Sequence, residues 1–154
     1  MKNEIEKYYI HYIDQTHSLS ASLAARVSTG FCDSNIDFRQ EMYDEIKNKY
    51  LLGHKYNPIM VVAGIRIRIE ELVYNKLSSM DKAEFIQQHR VINKLQFAET
   101  KEVKVPELYY LLQPMYNDSL HLGGDDTVVI RKMRSCCLKT NNLHIRKMVQ
   151  TLFQ

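Results

Sequence analysis

The chain has 154 residues, 45% of them apolar and 25% charged, with a formal net charge of +3. This length and composition fit one folded domain over residues 1–154 and exclude a disordered chain or two independent cores. No stretch approaches the roughly 18 to 20 apolar residues of a transmembrane helix, and the first residues lack the apolar core of a signal peptide, so we expect a cytoplasmic protein without membrane contact.

Helical periodicity runs through almost the whole chain, without a hairpin signal or an internal repeat. Asn3 and Glu6 have the spacing of a capping box, which predicts a first helix over residues 3–28. A second helix is predicted over residues 36–52, and Gly53 is the residue expected to end it.

Asn57 followed by proline predicts the start of a third helix, because asparagine is a favoured N-cap and proline is favoured at the first helical position. This helix is expected to cover residues 57–77, with isoleucine, valine and leucine as its buried stripe. Asp81 and Glu84 have capping spacing and predict one further helix that ends near residue 99.

A fifth helix is predicted over residues 106–122, and Pro114 inside it should remove one backbone hydrogen bond and kink it. Shorter helices are predicted over residues 127–138 and 142–153, while residues 128–130 are the one segment whose composition also permits a strand. Because the predicted loops are short, we expect an all-α fold, an antiparallel bundle of about five to seven helices.

The cysteines and histidines give no sign of a metal site. Cys32, Cys136 and Cys137 lack metal-ligand spacing and are expected to be free thiols in a reducing compartment. The six histidines show no paired spacing with another type of ligand. We therefore predict no metal and no cofactor.

Positive charge is concentrated at the end of the chain. Residues 1–126 carry 15 basic and 18 acidic side chains, whereas residues 127–154 carry six basic side chains and no acidic one. Such a segment is able to contact nucleic-acid phosphates, to pair with an acidic partner, or to be the solvated face of the last helices. The residues expected to contact RNA phosphates are Arg131, Lys132, Arg134, Arg146 and Lys147.

Two pairs of polar residues, each four positions apart, are candidates for a functional site. Arg66 and Glu70 share one face of the third helix, and Asn117 and His121 share one face of the fifth. The spacing also fits an ordinary salt bridge and a histidine that caps the carbonyls at a helix end. If the two helices pack side by side, the four side chains meet, and His121 becomes a candidate general acid or base.

The order of these pairs resembles the helical bundles of the HEPN superfamily (higher eukaryotes and prokaryotes nucleotide-binding). Residues 65–70 are similar to that family's LRxxLE helix, and residues 117–121 to its N-x-x-x-H pattern. The resemblance covers about residues 57–124, a little under half of the chain, and residues 127–154 would add basic C-terminal helices.

The resemblance implies a bundle that dimerises with two motif helices face to face. Catalytic members of the family are metal-independent endoribonucleases, many of them in bacterial toxin–antitoxin and anti-phage systems. Carried over to this chain, His121 would be the acid/base residue and Asn117 its orienting partner. Tyr116 stands where those members have an arginine, so the phosphate contacts would come from Arg66 and the Tyr116 hydroxyl.

Three functional hypotheses follow from these patterns. The first is a non-catalytic HEPN-like module that dimerises, engages RNA and serves a larger effector in bacterial or phage-related defence; its partner protein would be an ATPase effector or an antitoxin. The second is a metal-independent endoribonuclease that uses His121. The third is a DNA-binding regulator that uses the basic C-terminal helices, although no helix-turn-helix pattern supports it.

Overall fold

The computed structural model describes residues 36–117 and 126–154. Within these two ranges the regular structure is helical and no strand forms, including at residues 128–130, so the all-α prediction is confirmed. The predicted helix over residues 3–28, together with Cys32 and His121, lies outside the described residues.

The helices have the following bounds. They are α1 (Ile36–Glu45), which continues as a π-helical segment (Ile46–Tyr50), α2 (Pro58–Tyr74), α3 (Ser79–Gln87), α4 (Val91–Thr100), α5 (Glu107–Leu111), α6 (Gln113–Asn117), α7 (Asp126–Thr140) and α8 (Leu143–Leu152). Within the described part of the chain, no helix is long and apolar enough to span a bilayer.

Helix α2 is the centre of the fold, because α1, α4, α6, α7 and α8 all pack against it. Its first turn is capped as the sequence predicts: the Asn57 side chain accepts hydrogen bonds from the backbone N–H groups of Ile59 and Met60. Its isoleucines at positions 65, 67 and 69 are fully buried. Since neighbours surround it, α2 is apolar on almost every face, and the polar residues that it carries must find partners.

The prediction of one helix from Asp81 to residue 99 was wrong. Two helices, α3 and α4, cover this stretch, and the N-cap of α3 is Ser78, whose hydroxyl accepts a hydrogen bond from the Asp81 N–H at 3.3 Å. Arg90, directly before α4, has a positive φ of 66°. With the break, Phe85 and Leu95 are both buried in the core. The local sequence did not indicate the break, because it has no glycine or proline here.

The prediction of one kinked helix over residues 106–122 was wrong for the described part of this stretch, because two short helices, α5 and α6, cover residues 107–117 and the break precedes Pro114. Helix α5 ends at Leu111 with Leu112 as its C-cap, and the next helix begins at Gln113. Because proline has no N–H, the segment cannot continue the hydrogen-bond ladder at that position. The short helix α6 then packs against α2.

Helices α7 and α8 form a hairpin joined at Asn142, whose side chain caps α8 by accepting from the His144 and Ile145 N–H groups. The core side of the hairpin carries Met133, Cys136, Thr140, Val149 and Leu152, all buried. These positions recur at the three- to four-residue spacing of an amphipathic helix, so the opposite faces, which carry several of the basic residues, face away from the core.

Candidate functional site

Glu70 is the centre of a buried charge cluster on α2. Its side chain is 0% exposed, and its two carboxylate oxygens receive different cations: the Arg66 Nε lies 3.4 Å from Oε1, and the Lys94 Nζ lies 3.4 Å from Oε2. The pairing of Arg66 with Glu70 is the one that their spacing predicts. Lys94, which comes from α4, was missed by the sequence analysis.

The physical reason for two cations is the burial of the acid. Moving a carboxylate out of water without partners costs several kcal/mol of solvation free energy, so a buried carboxylate is paired and hydrogen-bonded. The side chain of Lys94 is only 5% exposed and that of Arg66 15% exposed. The Lys94 ammonium also lies 5.8 Å from the centre of the Phe85 ring. Solvent therefore has little access to the cluster.

A second cluster on α2 fixes the last helix. The Arg68 Nε donates to the Leu152 carbonyl oxygen at 2.8 Å, and its Nη1 lies 3.4 Å from the Glu71 carboxylate. The Tyr43 hydroxyl donates to the other oxygen of Glu71. The Arg68 guanidinium also lies 5.3 Å from the centre of the Phe153 ring. Burial, and then the Glu71 carboxylate, raise the pKa of the Tyr43 hydroxyl, so Tyr43 remains a donor.

The second half of the predicted site is only partly described. Tyr116 and Asn117 are the last residues of α6, which packs against α2 as predicted. Their side chains, and the whole of His121, are outside what the structure describes. Helix packing therefore places α6, which ends at Asn117, against the helix that carries Arg66, while the meeting of the imidazole with Arg66 stays a prediction.

The five predicted phosphate-binding residues differ in exposure. Arg131 and Lys147 are exposed, and Lys132 and Arg134 are half-buried. Arg146 is half-buried as well, and its guanidinium lies 5.2 Å from the centre of the Tyr50 ring. Arg146 thus takes part in packing, and Arg131 and Lys147 are the two best placed to meet a phosphate.

A tyrosine pair connects the end of the π-helical segment and the loop that follows it to the α7–α8 hairpin. The Tyr50 hydroxyl donates to the Thr140 carbonyl oxygen at 2.7 Å, and the Tyr56 hydroxyl lies 2.7 Å from the Thr140 hydroxyl. Burial raises the pKa of Tyr50 to about 12 and that of Tyr56 to about 12. The sequence offered no signal for these contacts, because the partners are more than 80 positions apart.

No group of three or more histidine, cysteine, aspartate or glutamate side chains that could hold a metal ion is present in residues 36–117 and 126–154. No protein-family model, curated protein or solved structure matches the chain. The relationship to HEPN bundles therefore remains a prediction carried by the order of two short motifs.

Proposed function

We propose that this chain is a HEPN-like helical module of a bacterial or phage-related defence or toxin–antitoxin system. In this role it dimerises and engages RNA as an accessory or sensor subunit of a larger effector, and it does not cleave the RNA itself. The observation that supports a non-catalytic role is the sealed Glu70 carboxylate, because it holds Arg66, the residue that the catalytic alternative assigns to the phosphate.

A catalytic group must touch the substrate, and this cluster is poorly placed to do so. Glu70 is 0% exposed and both of its oxygens already have a cation 3.4 Å away. To hold a scissile phosphate, Arg66 would have to leave the Glu70 carboxylate, and its side chain is only 15% exposed. The cluster instead joins α2 to α4, which is the contribution expected of a structural network.

RNA engagement is supported by the surface of the α7–α8 hairpin. Residues 127–154 contain six basic side chains and no acidic one, and Arg131 and Lys147 are exposed. A surface of this kind neutralises phosphates and releases counterions, so binding should weaken steeply with salt. Guanidinium and ammonium groups contact backbone phosphates whatever the base sequence of the RNA.

The test is RNA binding by the purified full chain, measured by fluorescence anisotropy at several salt concentrations. The double variant Arg131→Glu with Lys147→Glu should bind at least about tenfold more weakly and show a smaller salt dependence. The matched control, Lys47→Glu with Lys104→Glu, carries the same change of charge on exposed lysines outside α7 and α8. Equal losses in both variants, or no RNA binding by the unchanged chain, would contradict the proposal.

Two further measurements separate this function from its competitors. The mass of the chain in solution tests the proposed dimer. Duplex DNA in the same titration tests the regulator hypothesis, which requires tighter binding to duplex DNA than to RNA.

The endoribonuclease hypothesis keeps one supporting observation: α6, which ends at Asn117, packs against the helix that carries Arg66. As an enzyme, the chain would degrade RNA in the presence of a chelator, and His121→Ala would abolish cleavage without unfolding the protein. Absence of cleavage by the unchanged chain favours the accessory module.

A further inference from the structure

An open groove lies between α5–α6 and the α7–α8 hairpin, outside the Glu70 cluster. It has a volume of about 310 Å³. Leu111, Pro114 and Met115 line one side, and Leu138 and Ile145 line the other. Among the described residues that line the groove, Lys139 is the charged one.

The leucines at this groove are unusually exposed for residues of their type. Leu111 is 53% exposed and Leu138 is 76% exposed, and Leu143, which follows the groove residue Asn142, is 63% exposed. Single exposed leucines are ordinary, whereas several grouped around a concave surface mark an interaction site.

The charge around the groove restricts what it would bind. The α7–α8 side contributes Lys139, and no acidic residue occurs in residues 127–154. The Asn142 side chain is already engaged with two backbone N–H groups of α8, so the groove has few polar groups to orient a small ligand. On the α5 side Glu107 is exposed one turn before Leu111, which confines the positive charge to the α7–α8 wall.

These features favour an acidic amphipathic helix over other occupants. A second copy that docked through the same face would bring two basic hairpins together, which like-charge repulsion opposes. Among the lining residues that the structure describes, a nucleic acid would find no aromatic side chain on which to stack a base. An apolar stripe with acidic neighbours matches both the leucines and the lysine.

We propose that this groove binds an amphipathic helix of a partner protein, with its apolar side chains between Leu111 and Leu138 and its acidic side chains facing Lys139. The inference rests on the proposed accessory role, which requires a partner protein, and it identifies the surface and the chemistry of that contact. A stripe at positions i, i+3 or i+4, and i+7 would fill the groove over roughly two helical turns.

The test uses the full chain and a labelled synthetic helix of about 16 residues, with leucine at each third or fourth position and glutamate elsewhere. A second peptide carries lysine in place of each glutamate. We expect saturable binding of the acidic peptide and at least about tenfold weaker binding of the basic one. Leu138→Asp and Lys139→Glu should each weaken binding of the acidic peptide by about tenfold.

The matched control is Leu52→Asp, which places the same charge on a leucine that is 63% exposed outside the groove; it should bind like the unchanged chain. No saturable binding, or equal binding of both peptides, would overturn the proposal. It would also be overturned by a dimer that Leu138→Asp dissociates, because the groove would then hold a second copy.

RNA binding separates the two proposals, because Leu138 is not among the residues assigned to phosphates. The Leu138→Asp variant should lose the peptide and keep its affinity for RNA. If the unchanged chain binds the peptide but no RNA, the proposed RNA role fails while the groove assignment stands.

Discussion

Lys94 and Glu70 form a buried ion pair between α4 and α2, although they are 24 positions apart in the sequence. The Lys94 Nζ lies 3.4 Å from Glu70 Oε2, and the two side chains are 5% and 0% exposed. Arg66, one turn before Glu70, approaches the other oxygen. The acid therefore compensates two cations, and its removal leaves positive charge in a site with little water.

We expect Glu70→Gln to lower the free energy of unfolding by about 3–5 kcal/mol, because it leaves the Lys94 ammonium buried without its counter-charge. Urea unfolding followed by circular dichroism measures this. Glu84→Gln, at an exposed position on α3, is the matched control and should change the free energy of unfolding by less than about 0.5 kcal/mol.

The double variant Glu70→Leu with Lys94→Met tests whether removing both charges of the pair avoids the cost of removing one. It replaces the buried Glu70–Lys94 pair with apolar groups of similar volume, which is often neutral or stabilising, and it leaves only Arg66, the more exposed of the two cations, without the carboxylate. The double variant should therefore be more stable than Glu70→Gln alone. A double variant that is equally unstable would contradict this account.

Arg68 is expected to tolerate lysine poorly, although the charge is kept. A lysine has no Nε–H to donate to the Leu152 carbonyl and no planar group to lie over Phe153. We expect Arg68→Lys to lower the free energy of unfolding by about 1–3 kcal/mol. Arg131→Lys, the same substitution at an exposed position, should be close to neutral.

A double-mutant cycle measures how much the contact between Arg68 and the Phe153 ring contributes to the stability lost in Arg68→Lys. Arg68→Lys and Phe153→Ala should be non-additive by about 0.5–1 kcal/mol, because each removes one side of the guanidinium–ring contact. Strict additivity would mean that this contact, at 5.3 Å between guanidinium and ring centre, contributes nothing to stability.

The buried tyrosines should make the protein less stable in alkali. Burial raises the pKa of Tyr50 from 10.0 to about 12. Between these pH values the unfolded chain has lost the hydroxyl proton while the folded chain retains it, so the unfolded state binds fewer protons. The free energy of unfolding then falls as the pH rises, by about 1.4 kcal/mol per pH unit for one tyrosine.

Measuring the free energy of unfolding from about pH 9 to about pH 12 checks this. In Tyr50→Phe this free energy should fall less steeply with pH, by about 1.4 kcal/mol per pH unit. Ile46→Val, a core change beside the same helix end that removes no ionisable group, should be less stable at every pH and keep the slope of the unchanged chain. An unchanged slope in Tyr50→Phe would assign the alkaline loss to other groups.

Local chemistry made much of the fold predictable. Asn57 caps α2 as expected, and Gly53, with a positive φ of 77°, lies where the second predicted helix should end. These signals act over one helical turn, and the residues that produce them are adjacent in the sequence. The Arg66–Glu70 pair belongs to the same class, since both residues lie on one helix.

Long-range contacts were not predictable in the same way. The break at Arg90 and the Tyr43–Glu71 hydrogen bond depend on how helices far apart in sequence pack together. Lys94 did leave a signal: it occupies the second position of the buried set 91, 94, 95 and 98 on α4, where an apolar residue is expected. A lysine within an apolar stripe indicates a buried partner, but the spacing does not say which acid it meets.

Gly64 allows α1 and α2 to approach closely, and substitution there should be destabilising. A Cβ at this position would lie 2.7 Å from Ile46 Cδ1 and 3.3 Å from Met42 Cβ. The gain in helix propensity from Gly64→Ala is about 1 kcal/mol, whereas overpacking costs about 1–3 kcal/mol. We expect a net loss of about 1 kcal/mol.

Combining Gly64→Ala with Ile46→Val identifies the cause of that loss. Valine lacks the Cδ1 atom that the new methyl group would strike, so the double variant should be more stable than the sum of the two single changes predicts. Gly53→Ala is the contrasting case, because a Cβ there meets nothing within 4 Å while φ is +77°. Its loss comes from the backbone, at about 1 kcal/mol, and Ile46→Val should not relieve it. A stabilising Gly64→Ala would show that the Ile46 side chain and α1 give way to the new methyl group at little cost, contrary to the overpacking expected here.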